Sequence, residues 1–250
     1  MDYPVLAESI AAWMRDFAAR AGADGFVVGL SGGVDSSVTA ALAVRALGAE
    51  HTLGVLMPCH SQSEDATYAR MAAEALDLPT VTVDLSAACD ALLASLPVGC
   101  DMALANLKPR LRMTALYYLA QSHNYLVAGT GNLSEIMVGY FTKYGDGGVD
   151  FEPLGELYKH EVRALARALG LPESIITRPP TAGLWPGQTD EAELGITYDE
   201  LDAILAALAR GYDSGAPEET VARVWRMVEA SAHKRATPPT FPVDRGEGGA

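Results

Sequence analysis

A chain of 250 residues with 49 % hydrophobic residues is long enough to form one large α/β domain with its own core, and too apolar to be disordered. Its 18 basic and 32 acidic residues give a net charge of −14, which excludes a general nucleic-acid binder, because such a protein needs a basic face. No signal peptide and no apolar stretch of roughly 20 residues is present, so no membrane partner is expected. Cys59, Cys89 and Cys100 form no C-x-x-C pair, which predicts reduced thiols and a cytoplasmic location.

Helix and strand patterns alternate in the first half of the chain. Apolar residues at helical spacing and short apolar runs bounded by Gly or Pro carry the prediction. The predicted helices are 4–21, 38–47, 64–76, a helix capped by Asp84 or Ser86 that ends near 97, and 101–122 with Pro109 interrupting it or moving its start. The predicted strands are 25–30, 53–57, 80–83 and 125–128. This alternation predicts a doubly wound parallel sheet whose ligands lie at the carboxyl ends of the strands.

The second half of the chain contains fewer strand signals. Residues 139–153 are too rich in glycine for a helix, and a helix is predicted over about 154–169. Residues 177–196 are irregular over a length that is typical of a lid or binding loop. Two further helices are predicted at 198–210 and 218–233, and the tail from about 237 to 250 is expected to be loosely held. No composition break divides the chain, so one domain over 1–250 is expected.

A glycine-rich loop, residues 29–37, separates the first predicted strand from the following helix. In this geometry backbone N–H groups converge on an anion, and Gly32 and Gly33 leave room for a phosphate. Asp35 is itself an anion, so its place here makes sense if it binds a magnesium ion that bridges to phosphates. The loop lacks the lysine of a Walker motif. The alternative is a simple strand-to-helix turn capped by Asp35 or Ser36.

The other polar candidates are ambiguous when each is taken alone. Glu135 follows the fourth predicted strand, where it can join Asp35 at a magnesium ion or lie on the surface of a first helical turn. Arg110 and Arg112 suit a phosphate or carboxylate, but such a pair is usually a solvated helix face. A flexible turn would account for Lys143, Asp146 and Asp150, and Lys159 and Thr181 are ambiguous. A helix C-terminus with favourable cations is the preferred interpretation of His233 and Lys234 when they are taken alone.

Taken together, seven segments in chain order resemble the ammonia-dependent NAD synthetases of the N-type ATP pyrophosphatase superfamily. They are Ser-Gly-Gly-Val-Asp-Ser-Ser, Asn-Leu-Lys-Pro-Arg-Leu-Arg-Met, Gly-Thr-Gly-Asn-Leu-Ser-Glu, Gly-Tyr-Phe-Thr-Lys-Tyr-Gly-Asp-Gly-Gly-Val-Asp, Pro-Thr-Ala-Gly-Leu, Gln-Thr-Asp-Glu-Ala-Glu-Leu-Gly and His-Lys-Arg. The resemblance covers about residues 5–240, and its most specific part is the fourth segment. It implies a Rossmann-like three-layer α/β/α fold of the adenine nucleotide alpha hydrolase type, and a homodimer with the dinucleotide site near the interface.

The resemblance also implies roles for individual residues. ATP would contact Gly29, Leu30, Ser31, Gly32, Gly33, Val34, Asp35, Ser36, Thr130, Lys159 and Thr181. Mg²⁺ would be held by Asp35 and Glu135. Deamido-NAD would contact Arg110, Lys143, Asp150, His233 and Lys234, with Glu193 as a weaker candidate. Asp35 and Asp146 would take part in catalysis, the latter by placing ammonium.

The implied reaction has two steps. The nicotinate carboxylate of deamido-NAD attacks the α-phosphate of ATP and releases pyrophosphate, and ammonia then attacks the acyl-adenylate to give NAD and AMP. The chain has no room for the amidase domain of glutamine-dependent relatives, so free ammonia is the expected donor unless a separate glutaminase supplies it. Two departures stand out: Pro109 occupies a position where a small helix-compatible residue is expected, and the stretch 183–187 within the predicted lid 177–196 is short.

Two alternatives remain. One is another pyrophosphate-loop enzyme, such as a tRNA-thiolating or GMP-synthetase-like amidating enzyme, against which the charge of −14 and the unpaired cysteines count. The other is a nucleotide-binding sensor, which would bind ATP without converting it and would not need Lys143, Asp146 and Asp150 in one glycine-rich loop.

Overall fold

Four parallel strands form the central sheet in the computed structural model, which describes residues 1–181, 183 and 187–243. The strands are β1 (Gly25–Gly29), β2 (Thr52–Leu56), β3 (Thr80–Thr82) and β4 (Tyr125–Ala128), in the order β3-β2-β1-β4. The order reverses between β1 and β4, and in sheets of this kind the ligand crevice opens at that point. The predicted parallel α/β sheet is therefore confirmed.

Helices cover both faces of the sheet. They are α1 (Tyr3–Ala21), α2 (Val34–Leu47), α3 (Ser63–Ala75), α4 (Ser86–Ser95), α5 (Asp101–His123), α6 (Leu133–Val138), α7 (Lys159–Ala168), α8 (Glu173–Ile176), α9 (Asp190–Leu194), α10 (Tyr198–Arg210) and α11 (Glu218–Ala230). Successive β1 residues point to opposite faces, so Phe26 and Val28 pack with α1, α2 and α7, and Val27 packs with α4 and α5. This arrangement gives the predicted three layers.

A smaller apolar cluster surrounds the C-terminal helices. Tyr198, Leu201 and Ile204 of α10 pack with Val224 and Val228 of α11, and all five are buried. The exposed residues from Thr237 to Val243 form no helix or strand, and the rest of the predicted loose tail, residues 244–250, lies outside the described residues. None of the described helices combines the length and apolar character that crossing a bilayer requires.

Several predicted elements differ in extent from the structure, and three of the differences bear on the site. Helix α5 runs uninterrupted through Pro109, which is buried. Pro109 packs on the glycine-rich segment 139–153, since a Cβ at Gly145 would lie 3.0 Å from the Pro109 Cβ. Helix α7 begins at Lys159 instead of residue 154, because the apolar residues before it belong to buried turns and the Glu161 carboxylate accepts from the Tyr158 N–H at 2.9 Å at the helix start. Helix α9 lies inside the segment 177–196, which was predicted to be irregular, and Thr189 caps it.

Candidate functional site

A cavity of about 480 Å³ opens at the carboxyl ends of β1, β2 and β4, as the strand order requires. The predicted ATP residues Gly29, Leu30, Ser31, Gly33, Val34, Asp35, Ser36, Thr130, Lys159 and Thr181 all line it. Gly32 is buried behind the loop. The glycine loop and the Gly-Thr-Gly segment after β4 therefore face one crevice, as predicted.

The glycine loop has the geometry of an anion-binding loop. Gly32 has φ +81°, and a Cβ there would lie 2.7 Å from the Asp65 carbonyl oxygen, so only glycine fits. Helix α2 begins directly at Val34, and Gly33 at its N-cap makes no side-chain cap bond. The first N–H groups of a helix have no intrahelical partner, so those of α2 are donors available to a phosphate at the cavity wall.

A buried lysine holds two carboxylates together beside this loop. The Nζ of Lys159 lies 2.5 Å from Asp35 Oδ2 and 3.0 Å from Glu135 Oε1, and the Lys159 side chain is 2 % exposed. Asn132 fixes both acids, because its Nδ2 donates to Asp35 Oδ1 at 2.9 Å and its Oδ1 accepts from the Glu135 N–H at 3.1 Å. The predicted approach of Glu135 to Asp35 is thus seen, with Lys159 between them.

Burial and charge oppose each other in this cluster. Burial lowers the pKa of Lys159, but the attraction of Asp35 and Glu135 outweighs it and leaves the pKa above its ordinary value. Burial raises the pKa of Glu135, and Lys159 opposes that rise while Asp35 adds to it. One cation therefore balances two crowded acids, and this balance depends on every member of the cluster.

Tyr140, Asp190 and Tyr198 complete the cluster, and sequence reasoning missed these three residues. The Tyr198 hydroxyl lies 3.0 Å from Glu135 Oε1 and 3.1 Å from Asp190 Oδ2, and its single proton is donated to one of them at a time. The Tyr140 hydroxyl lies 2.8 Å from Oε2 of Glu193, a predicted substrate contact that lines the cavity. Asp190 falls inside the motif Gln-Thr-Asp-Glu, which was the available signal, whereas Tyr198 looked like an ordinary helix start.

Asp202 joins three helices behind the site. This buried carboxylate of α10 accepts from the Ser134 hydroxyl of α6, and its Oδ2 accepts from the His160 N–H of α7 at 3.0 Å and lies 2.8 Å from His160 Nδ1. The Ser134 hydroxyl in turn accepts from the Lys159 N–H at 3.0 Å. Through these bonds the backbone that carries Glu135 and Lys159 is fixed relative to α10.

Glu152 packs against both glycines of Gly-Thr-Gly. Its Oε2 accepts from the Gly131 N–H at 3.0 Å, and a Cβ at Gly129 would lie 2.2 Å from that oxygen. Burial raises the pKa of Glu152 to about 8, and the nearby charges of Asp146 and Glu135 add to the rise. The carboxyl group is therefore protonated in the folded protein at neutral pH.

Glu152→Gln should stabilise the protein above neutral pH. In the wild type, the raised pKa contributes stability that is fully present below the unfolded value near 4.5 and is lost as pH rises through about 8. The melting temperature of the variant should equal that of the wild type near pH 5 and exceed it by several degrees near pH 9. Glu156→Gln, at an exposed position, is the control. A difference in melting temperature between variant and wild type that does not depend on pH would contradict the prediction.

The predicted dinucleotide residues, together with Asp146, which is predicted to place ammonium, divide into two groups. Lys234 and Asp146 line the cavity: Lys234 Nζ donates to the Gly139 and Phe141 carbonyls at 2.7 and 2.8 Å, and Asp146 Oδ1 accepts from the Thr142 N–H at 2.9 Å. Asp146 is exposed to the cavity but surrounded by protein, and the resulting loss of hydration raises its pKa. These two residues and Glu193 are therefore brought to one wall.

Arg110, Lys143, Asp150 and His233 do not contribute to that wall. Arg110 lies 3.4 Å from the Lys143 carbonyl oxygen, and Lys143 Nζ donates to the His233 carbonyl at 2.6 Å, so these three form one chain of contacts outside the cavity. Both oxygens of Asp150 accept from the protein, at 2.8 Å from the Val127 N–H and at 3.1 Å from the Tyr117 hydroxyl. Their contacts with a dinucleotide stay predictions.

Arg112 differs from its neighbour Arg110. Its guanidinium donates to the Met57 carbonyl at 3.1 Å and to the Ser61 hydroxyl at 3.2 Å, and it lines the cavity. Burial lowers its pKa from the ordinary value. The expectation of a solvated face was therefore wrong for Arg112, because α5 turns this side chain towards the carboxyl end of β2.

The short stretch 183–187 of the predicted lid lies largely outside the described residues, which include only Gly183 and Gly187 of it.

Comparisons with known proteins agree with this geometry. The family model described as NAD synthase matches residues 6–238. The NH(3)-dependent NAD(+) synthetase of Carboxydothermus hydrogenoformans is 50 % identical over 92 % of this chain and 94 % of its own length, and that of Archaeoglobus fulgidus is 48 % identical over 97 % and 98 %. Two solved structures also match. An NMN synthetase from Francisella tularensis has a TM-score of 0.88 and 36 % identity, with 96 % of this chain and 100 % of that chain covered. An NH3-dependent NAD synthetase from Campylobacter jejuni has a TM-score of 0.84 and 30 % identity, with 97 % of this chain and 100 % of that chain covered.

Proposed function

The chain belongs to the NAD synthase family, and from this premise we propose that its cavity brings ATP and deamido-NAD together for amidation by ammonia. The activity is ammonia-dependent NAD synthesis, a ligase reaction that uses ATP as cosubstrate. The observation that carries the proposed site is the meeting of Asp35, Glu135 and Lys159 beside the glycine loop.

The donor set of this cluster fits Mg²⁺. The carboxylates of Asp35 and Glu135 both line the cavity and meet at the Lys159 ammonium, and Mg²⁺ is usually bound by one or two carboxylates together with substrate phosphates and water. In the part of the chain that the structure describes, no group of three or more His, Cys, Asp or Glu residues could hold a metal without such help. Asp35 and Glu135 would hold the ion, which would stabilise charge on the departing pyrophosphate.

The protein groups act on the phosphates and the carboxylate. The N–H groups at the start of α2 and the Lys159 ammonium would bind the α- and β-phosphates as the nicotinate carboxylate attacks, and they are preorganised by the bonds described above. Because both substrates would be bound in one cavity, the attack of the carboxylate on the α-phosphate becomes in effect a unimolecular step. The carboxylate of Asp146, whose pKa is raised by burial, would attract ammonium and accept its proton before attack on the acyl-adenylate.

A product assay tests the function. The protein is incubated with ATP, Mg²⁺, deamido-NAD and ammonium chloride, and NAD, AMP and pyrophosphate are measured. Equal amounts of all three, formed only with ammonium, are expected. A second tube with glutamine in place of ammonium tests for a hidden amidase activity. ATP binding without AMP formation would favour the sensor instead.

The Francisella tularensis relative, named as an NMN synthetase, supports a second candidate function. That structure matches this chain with a TM-score of 0.88 over its full length, and its name is that of an enzyme that forms a mononucleotide. The same assay with the deamidated mononucleotide decides between them. A kcat/KM that is higher for deamido-NAD supports the first candidate, and the reverse order supports the second.

Helix α5 supports the proposed homodimer. Only Ala105, Pro109 and Ala120 of its 23 residues are buried. Leu104 and Tyr118 are 41 % and 74 % exposed. Exposed apolar residues along one long helix mark an interaction surface. Because α5 also lines the cavity through Met102, Asn106 and Met113, a dimer made through it would bring the partner close to the dinucleotide.

Tyr118→Glu combined with Leu104→Glu should therefore disrupt the dimer. Two buried charges at an interface cost several kcal/mol, so we expect a monomer at micromolar concentration and a raised KM for deamido-NAD. Sedimentation velocity measures the assembly state. The control is Trp225→Glu, which changes a large exposed side chain on α11. A dimer that survives the double substitution would exclude this surface as the dimer interface.

The cytoplasmic location stays a prediction from the free cysteines.

A further inference from the structure

Arg178 makes a set of contacts at the ATP end of the cavity that no residue role given so far explains. It lies between α8 and the Pro179–Thr181 wall of the cavity. Its Nη1 donates to the Gly32 carbonyl at 3.3 Å, and its Nη2 donates to Asp65 Oδ1 at 2.6 Å. Its guanidinium also stacks over the Tyr68 ring at 4.4 Å from the centroid. One side chain thus joins the glycine loop, helix α3 and the cavity wall.

The bond to Gly32 fixes the orientation of the phosphate loop. The carbonyl and the following N–H of a trans peptide point in opposite directions, so a Gly32 carbonyl held by Arg178 turns the Gly33 N–H the other way. That N–H lies 3.2 Å from Ser31 Oγ, on the cavity side of the loop. Gly32 itself has a left-handed conformation, and Asp65 and Tyr68 pack closely against it on the side away from the cavity.

The bond to Asp65 removes a charge that would repel ATP. Asp65 lines the cavity and is 23 % exposed on its side chain, so its carboxylate faces the same space as the glycine loop. Arg178 is 12 % exposed and pairs with it closely. Without its cation, a carboxylate that faces this partly buried space would repel a polyphosphate bound at the loop, because solvent screens the repulsion there only in part.

We propose that Arg178 is a positioning residue for ATP, which holds the Gly32 carbonyl and neutralises Asp65 so that the glycine loop accepts the polyphosphate. The inference rests on the proposed binding of ATP at that loop. It differs from a direct phosphate contact by Arg178, because in that case the Asp65 charge would not matter once the arginine is gone.

The experiment is a charge-rescue series measured by calorimetric titration with ATP and Mg²⁺. Arg178→Met should raise the Kd for ATP by at least about tenfold, because the Asp65 carboxylate then faces the polyphosphate without a cation. Asp65→Asn alone should stay within about twofold of the wild type, and Arg178→Met with Asp65→Asn should recover to within about threefold. Arg178→Lys, which keeps the charge but not the two-pronged geometry, should be intermediate and covers the case in which Arg178→Met does not fold.

Steady-state kinetics on the same proteins add a readout that a purely structural role would not move. The KM for ATP should follow the Kd through the series, and the KM for deamido-NAD should not change. Arg167→Met, which breaks the exposed pair between Arg167 and Glu173, is the matched control and should bind ATP as the wild type does. A double variant as weak as Arg178→Met would overturn the inference. A wild-type protein that binds no ATP would instead overturn the proposed function.

Discussion

Lys159→Met is expected to lower kcat by at least about a hundredfold, because a preorganised cation at the phosphates is lost. It should also destabilise the fold by about 3 kcal/mol at neutral pH, since breaking a buried ion cluster leaves charge without compensation. Lys159 is the ammonium that separates Asp35 from Glu135, and its side chain is almost fully buried. Chemical denaturation and steady-state kinetics measure the two effects on the same protein.

The double variant Lys159→Met with Glu135→Gln separates the two effects. Removing one of the two acids should restore most of the stability, because the remaining Asp35 keeps its bond from Asn132. Activity should stay low, since both the cation and a proposed metal ligand are then absent. If the double variant is no more stable than the single one, the repulsion between Asp35 and Glu135 is not what Lys159 relieves.

The glycine loop and the sheet could be predicted because their signals are local. Gly32 and Gly33 are required by backbone conformation and by space for a phosphate, and both needs are visible in a nine-residue stretch. Strands β1, β2 and β4 are short apolar runs ended by Gly or Pro, so their residues largely specify them. Placing these strand ends at one edge then follows from parallel pairing alone.

The partners of the site residues could not be predicted, because they come from distant segments. Tyr198 and Asp202 lie on α10, more than sixty residues beyond Glu135 and Ser134, and nothing in α10 itself distinguishes them from an ordinary buried helix face. The start of α7 was missed for a related reason. Leu154 and Leu157 are buried in turns, and burial alone makes a turn look like the apolar face of a helix.

Asp35→Asn should lower kcat by at least about a hundredfold, as expected for removal of a ligand from an ion that stabilises transition-state charge. The substitution has a second consequence in this structure. Both carboxylate oxygens of Asp35 accept hydrogen bonds, one from Asn132 Nδ2 at 2.9 Å and one from Lys159 Nζ at 2.5 Å. An asparagine has one acceptor, so its amide nitrogen must face one of these two donors.

The two consequences differ in their dependence on magnesium. Loss of a metal ligand raises the Mg²⁺ concentration needed for half-maximal rate, whereas a displaced Lys159 lowers the rate at every Mg²⁺ concentration. A magnesium titration of Asp35→Asn should therefore show both a shifted midpoint and a reduced plateau. Asp199→Asn makes the same chemical change at a side chain that is 81 % exposed and should leave the titration unchanged. An Asp35→Asn protein with the wild-type plateau and midpoint would exclude Asp35 from the metal and from catalysis. A reduced plateau with an unshifted midpoint would leave Asp35 with only one role, that of holding Lys159 against the phosphates.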